Sequence, residues 1–145
     1  MRYVDKKYGF SFDIPEGWRQ VRKSFIFWVT GGKVSMTPKA EDANINVSCG
    51  NVIRGMEKVQ RRAIMLEKFL DNRGYEVIQL GIENAQLSGE KNVVDAIYRD
   101  PKDREECLAS KISVIHNGLE YVITFGGNYQ RYGKDLETVT DSFKF

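Results

Sequence analysis

Histidine is nearly absent from this 145-residue chain, which has one, His116, together with only two cysteines and three prolines. One histidine excludes a histidine-built metal site, and Cys49 and Cys107 lack the paired C-x-x-C spacing of a zinc site. So few cysteines and prolines also exclude disulfide-stapled and collagenous classes, and the two thiols read as independent buried groups. Long apolar runs are missing too. The longest, Phe25 to Val29, is five residues, where a membrane span takes about 20. Charge of one sign is not in excess: 22 basic residues against 20 acidic ones give +2, which does not suggest a nucleic-acid partner. Met1-Arg2-Tyr3-Val4-Asp5 runs on without an apolar h-region, so the chain as written reads as cytoplasmic, and as extracytoplasmic if a leader upstream of Met1 has been removed.

What is present suits one soluble globular domain over residues 1–145, a length at which folding buries about 68–70 % of the extended chain's surface. Phe10, Phe12 and Ile14 alternate with Ser11 and Asp13, which predicts a half-buried strand over 9–14. Pro15-Glu16-Gly17 ends it in a turn, and Trp18 opens a second short extended piece. Ser24 to Thr30 reads as a strand apolar on both faces, with Gly31-Gly32 as a two-residue hairpin loop setting Val29 against Val34 and Phe27 against Met36. In that reading Ile26 and Trp28 share the outer face. Ile45, Val47 and Cys49 alternate in the next strand.

The period then lengthens to 3.6: Met56, Val59, Ala63, Leu66 and Leu70 form one stripe of an amphipathic helix, stopped by Gly74. Strands are expected at 75–80, 82–87 and 93–98, with Ser88-Gly89-Glu90-Lys91 as a turn, and a long one from Glu106 to His116 after the charged corner Asp100-Pro101-Lys102-Asp103. Asn117-Gly118 predicts a hairpin that sets Val114 against Tyr121 and Ile112 against Ile123, leaving Lys111 and Ser113 on the other, mixed face. Asn128 is placed to cap a final helix with Tyr132, Leu136, Val139 and Phe143 on its apolar side. Hairpin-joined strands with a helix in the middle and another at the end make an α+β fold, a mainly antiparallel β-sheet flanked by two helices.

No motif supplies chemistry. His116 has no nucleophile or orienting group tied to it by spacing, and reads as a strand-end histidine. The acidic corner at 100–106 lacks a calcium-loop pattern and carries Lys102 and Arg104. Gly126-Gly127 lies at a strand-to-helix junction but matches neither phosphate-loop pattern, and Asn46-Val47-Ser48 is a glycosylation triplet inside a predicted strand. No catalytic residue, cofactor site or metal site is therefore assigned. Residues 1–40 hold eight Lys/Arg against three Asp/Glu, with the densest knot at Arg19, Arg22 and Lys23. That knot and the outward Ile26 and Trp28 are the candidate partner-binding residues, since an exposed apolar patch marks a partner site. The partner they imply is a protein of unassigned identity, and the chain itself reads as a monomer or homodimer.

Gly9-Phe10-Ser11-Phe12-Asp13-Ile14-Pro15-Glu16-Gly17-Trp18 resembles the opening strand and Pro-x-x-Trp turn of PsbP-like domains. Leu136, Val139 and Ser142-Phe143-Lys144-Phe145 resemble their closing helix and its S-F-x-F end. The resemblance implies an α/β/α sandwich and a binding or assembly factor rather than an enzyme. It leaves two further roles open: a cytoplasmic chaperone of a secretion-system effector, or a small enzyme or ligand carrier with a pocket between sheet and helix. No acidic Ran-binding surface can be matched residue by residue, and a photosystem role would require a lumen-targeting leader.

Overall fold

The computed structural model describes residues 1–51, 59–83 and 92–145. Nine strands and three helices follow one another among these residues. They are β1 (Arg2–Val4), β2 (Ser11–Asp13), β3 (Trp18–Gln20), α1 (Phe25–Val29), β4 (Gly32–Pro38) and β5 (Asn44–Gly50). Then come α2 (Val59–Asn72), β6 (Glu76–Glu83), β7 (Asn92–Arg99), β8 (Glu106–His116), β9 (Leu119–Gly127) and α3 (Tyr129–Ser142). Seven strands form one antiparallel sheet in the order β3-β4-β5-β9-β8-β7-β6, and β1 pairs with β2 in a separate ribbon. The fold is α+β, as the periodicity predicts.

Side-chain alternation gives this sheet two different faces. On one, Met36, Ile45, Val47, Tyr121, Ile123 and Phe125 meet Phe10 and Phe12 of the ribbon and Tyr132, Leu136 and Val139 of α3. On the other, Val94 and Ala96 meet Ala63, Leu66 and Leu70 of α2. The helices thus cover opposite faces and different halves: α3 lies with the ribbon over the central strands, and α2 lies over β6 and β7. Cys49 and Cys107 are both free thiols; burial raises each above its ordinary pKa.

Several predicted details hold at the level of register. The β8–β9 hairpin sets Val114 opposite Tyr121 and Ile112 opposite Ile123. Asn117 (φ 51°) and Gly118 (φ 77°) both adopt the left-handed conformations that its tight turn requires. Gly74 (φ 80°) ends α2, and the Asn128 side chain accepts a hydrogen bond from the Arg131 backbone N–H at the start of α3.

The expected strand at 24–30 is overturned. Phe25–Val29 is a single helical turn, and Val34 and Met36 pair with Val47 and Ile45 instead of Val29 and Phe27. The physical reason lies at the other edge of β4, which is already taken by β3: Trp18 is opposite Pro38 and Gln20 opposite Met36. With both edges of β4 filled, the β-prone Phe-Ile-Phe-Trp-Val run has no strand to pair with, and tertiary context overrides propensity. Gly31 (φ 99°) and Gly32 form a helix-to-strand junction rather than a hairpin loop. A Cβ on Gly32 would sit 2.5 Å from the Phe27 ring, so the missing side chain is what lets α1 lie on the sheet.

The strand expected at 82–87 is also revised: residues 76–83 are one continuous strand with a register shift between Val77 and Gln79. Met56, the remainder of that expected strand and the Ser88-Gly89-Glu90-Lys91 turn lie outside the described residues.

Candidate functional site

The half of the second face that α2 leaves uncovered forms a groove of about 580 Å³ between α1 and α2. Its floor comes from alternate residues of three adjacent strands: Ser48 of β5, Glu120, Val122 and Thr124 of β9, and Lys111 and Ser113 of β8. These are the partners of the apolar core residues on the opposite side, so the same pleat that buries Ile123 and Tyr121 presents Thr124 and Val122 here. Trp28 and Val29 of α1 form one wall, and Arg62 and Met65 of α2 form the other.

Charge in the groove is uneven. Arg62 pairs with Glu120 at 2.5 Å, both side chains nearly buried. Lys111 stands directly across the β8–β9 ladder from Thr124, and its pKa is lowered by burial first and by the neighbouring Arg62 second, with Glu120 acting in the opposite sense. The third cation on the lining, Lys33, turns to the Tyr8 hydroxyl at 3.3 Å and lies over the Tyr8 ring.

The residues singled out from sequence surround α1 rather than a common pocket. Ile26 is 71 % exposed and Trp28 47 %, and Phe25 and Val29 beside them are also exposed, so the outward set is wider than an alternating strand would give. Arg22 and Lys23 are exposed in the segment leading into α1. Arg19 is on β3 and pairs with Glu41. The groove residues Lys111, Arg62, Glu120 and Thr124 were not singled out. The mixed outer face of the Asn117-Gly118 hairpin was the visible signal for Lys111 and Thr124, but nothing in sequence places Arg62 over them.

The other motifs are absorbed by the fold. His116 stacks on Phe145 with ring centroids 3.8 Å apart. Asn46 accepts a hydrogen bond from Ser35 at 2.5 Å, within the sheet. A Cβ on Gly127 would lie 2.6 Å from that of Ala43, so this glycine serves close chain approach. Asp100 and Asp103 accept hydrogen bonds from the backbone N–H groups of Lys102 and Glu105 in local turns. Among the described residues no cluster of His, Cys, Asp or Glu is placed to hold a metal ion, and no helix is long and apolar enough to cross a membrane.

No protein-family model matches the sequence, and neither does any curated protein. Solved structures do match. The solution structure of cyanobacterial PsbP (CyanoP) from Synechocystis sp. PCC 6803 aligns over 99 % of this chain and 91 % of its own, with TM-score 0.64 and 18 % identity. The Ran-binding protein Mog1p of Saccharomyces cerevisiae aligns over 99 % and 94 %, with TM-score 0.60 and 8 % identity. A crystal structure from Bacteroides thetaiotaomicron matches at TM-score 0.56 and 12 % identity, and this chain spans 47 % of that protein. At these identities it is the architecture alone that is shared: the chain has a PsbP-like fold.

Proposed function

We propose that this chain is a non-enzymatic binding module that docks a protein partner on α1. The observation that carries the reading is the exposure of Phe25, Ile26, Trp28 and Val29, four large apolar side chains on a five-residue helix that has no buried residue of its own. A helix of this length is marginal by propensity alone, and contiguous exposed apolar surface is a mark of protein interaction. Arg22 and Lys23 lie at its entrance, which favours a partner with acidic groups around an apolar centre. The architecture shared with a Ran-binding protein is consistent with this role, and so is the packing of His116 in an aromatic stack with Phe145.

The test is a photo-crosslinking amino acid at Ile26, with Lys134 on the exposed side of α3 as the control position, in cells of the native source. A discrete adduct from position 26, absent from position 134 and lost when Arg22 and Lys23 are changed to glutamate, supports the reading. Equal labelling from both positions, or none from position 26, overturns it. A second reading, a chaperone that shelters an apolar helix of another protein, is favoured by the exposure of Ile64, Met65 and Phe69 on α2. Adducts from position 65 as well as 26 to one apolar segment would select it.

A further inference from the structure

The groove beside α1 has its own chemistry, separate from the outer surface of that helix. Among the described residues its lining holds three cations, Lys33, Arg62 and Lys111, and one carboxylate, Glu120. Glu120 is engaged by Arg62 and Lys33 is turned toward Tyr8, while the Lys111 ammonium makes no hydrogen bond or ion pair among the described residues. An ammonium held in a concave site that disfavours its charge is a site for an anion, because pairing repays the desolvation. Thr124, directly opposite Lys111 in the ladder, and Ser113, on the same face of β8, add hydroxyl donors to the same floor. Around this polar centre stand Trp28, Val29, Met65, Val94 and Val122, an apolar collar. A volume of about 580 Å³ falls in the range of small-molecule sites.

We infer that this groove is a binding site for an organic monocarboxylate with an apolar body. The carboxylate accepts hydrogen bonds from the Lys111 ammonium and the Thr124 hydroxyl, and the body lies between Trp28 and Met65. One carboxylate matches the single unengaged cation among the described residues. A dianion would leave its second charge facing Glu120.

The experiment titrates the protein with octanoate, octanamide and acetate, following Trp28 emission and thermal unfolding. Trp18, the other tryptophan, is buried under α3 and serves as a constant background. Octanoate is expected to saturate below about 10 mM, octanamide and acetate to bind at least tenfold more weakly, and Lys111→Met to weaken octanoate about tenfold or more, the range for a charge-assisted hydrogen bond. Equal binding of octanoate and octanamide, unchanged octanoate affinity in Lys111→Met, or no saturable binding overturns the inference. If Lys111→Met fails to fold, the octanoate-to-octanamide ratio of the unaltered protein decides alone. The crosslinking test at Ile26 reads the outer surface of α1, so either result can fail without the other.

Discussion

The imidazole of His116 lies flat on the ring of Phe145, with centroids 3.8 Å apart and planes inclined by 8°, and Tyr121 stands edge-on to the Phe145 ring at 4.7 Å. The stack ties the chain beyond α3 to the end of β8. Aromatic pairs contribute about 0.5–1.5 kcal/mol beyond the area they bury. His116→Ala and Phe145→Ala should each lower the urea midpoint, and the double variant should cost less than the sum of the two by an amount in that range. Strict additivity in this cycle would show that the stack carries no energy of its own.

Asp42 accepts hydrogen bonds from the Tyr132 hydroxyl and from Arg131, the latter at 2.7 Å, joining the β4–β5 turn to the first turn of α3. The Tyr132 hydroxyl first, then the backbone N–H of Asp42 itself and Arg131, hold the Asp42 carboxyl below the usual carboxylate range. A depressed folded-state pKa contributes stability above the unfolded-state value, and this is lost as pH falls through the folded one. Asp42→Asn should therefore destabilise at pH 7 by on the order of 0.5–1 kcal/mol, modest because the pair is partly exposed. In strong acid, with the Asp42 carboxyl protonated in the folded and unfolded states alike, the difference should vanish. Urea midpoints of the two proteins at neutral pH and at about pH 2 check this, and a gap that persists in acid would contradict it.

Periodicity was enough to place a segment wherever its apolar spacing is regular. The Asn117-Gly118 hairpin pairs β8 with its sequence neighbour β9, whereas the Ile45-Val47-Cys49 alternation and the stripes of α2 and α3 are regular enough to read although β5 pairs with the distant β9 and α3 packs on Phe10 and Phe12. The run at 25–29 was misread because its fate depends on β3, a three-residue strand whose claim on the edge of β4 rests on Trp18 burying itself beside Tyr132 of the distant α3. Propensity carries no trace of that competition. The exposure of Ile26 and Trp28 was legible as apolar residues without an inward face. The groove was only half legible: Lys111 and Thr124 belong to one hairpin, but Arg62 reaches them through the packing of α2 on another part of the sheet.

Gly32 lies against the face of the Phe27 ring, and Phe27 in turn meets Trp28 edge-on at 5.3 Å. A Cβ there would meet ring atoms at 2.5–2.6 Å, and the ring, as a side chain on a short surface helix, is what must give. Gly32→Ala should displace α1 while sparing the two cores. Unfolding should shift by about 1 kcal/mol or less, Trp28 emission should move to the red, and crosslinking from position 26 should fall. A large loss of stability with unchanged Trp28 emission would mean that the strand, not α1, absorbs the clash.

Glu120 is the one carboxylate of the groove among the described residues, 2.5 Å from Arg62 and in the field of Lys111. Glu120→Gln would remove the carboxylate that lies between Arg62 and Lys111 on a partly desolvated floor, and should destabilise the fold. Much of that cost is repulsion between Arg62 and Lys111 rather than a lost bond. Adding Lys111→Met to Glu120→Gln should then recover part of the stability, so that the double variant unfolds at a higher urea concentration than Glu120→Gln alone. Lys111→Met in the unaltered background should do little or be mildly stabilising, because burial and Arg62 disfavour that ammonium more than Glu120 favours it. If the second substitution lowers the midpoint further in both backgrounds, Lys111 contributes by packing and not by charge, and the electrostatic description of the groove is wrong.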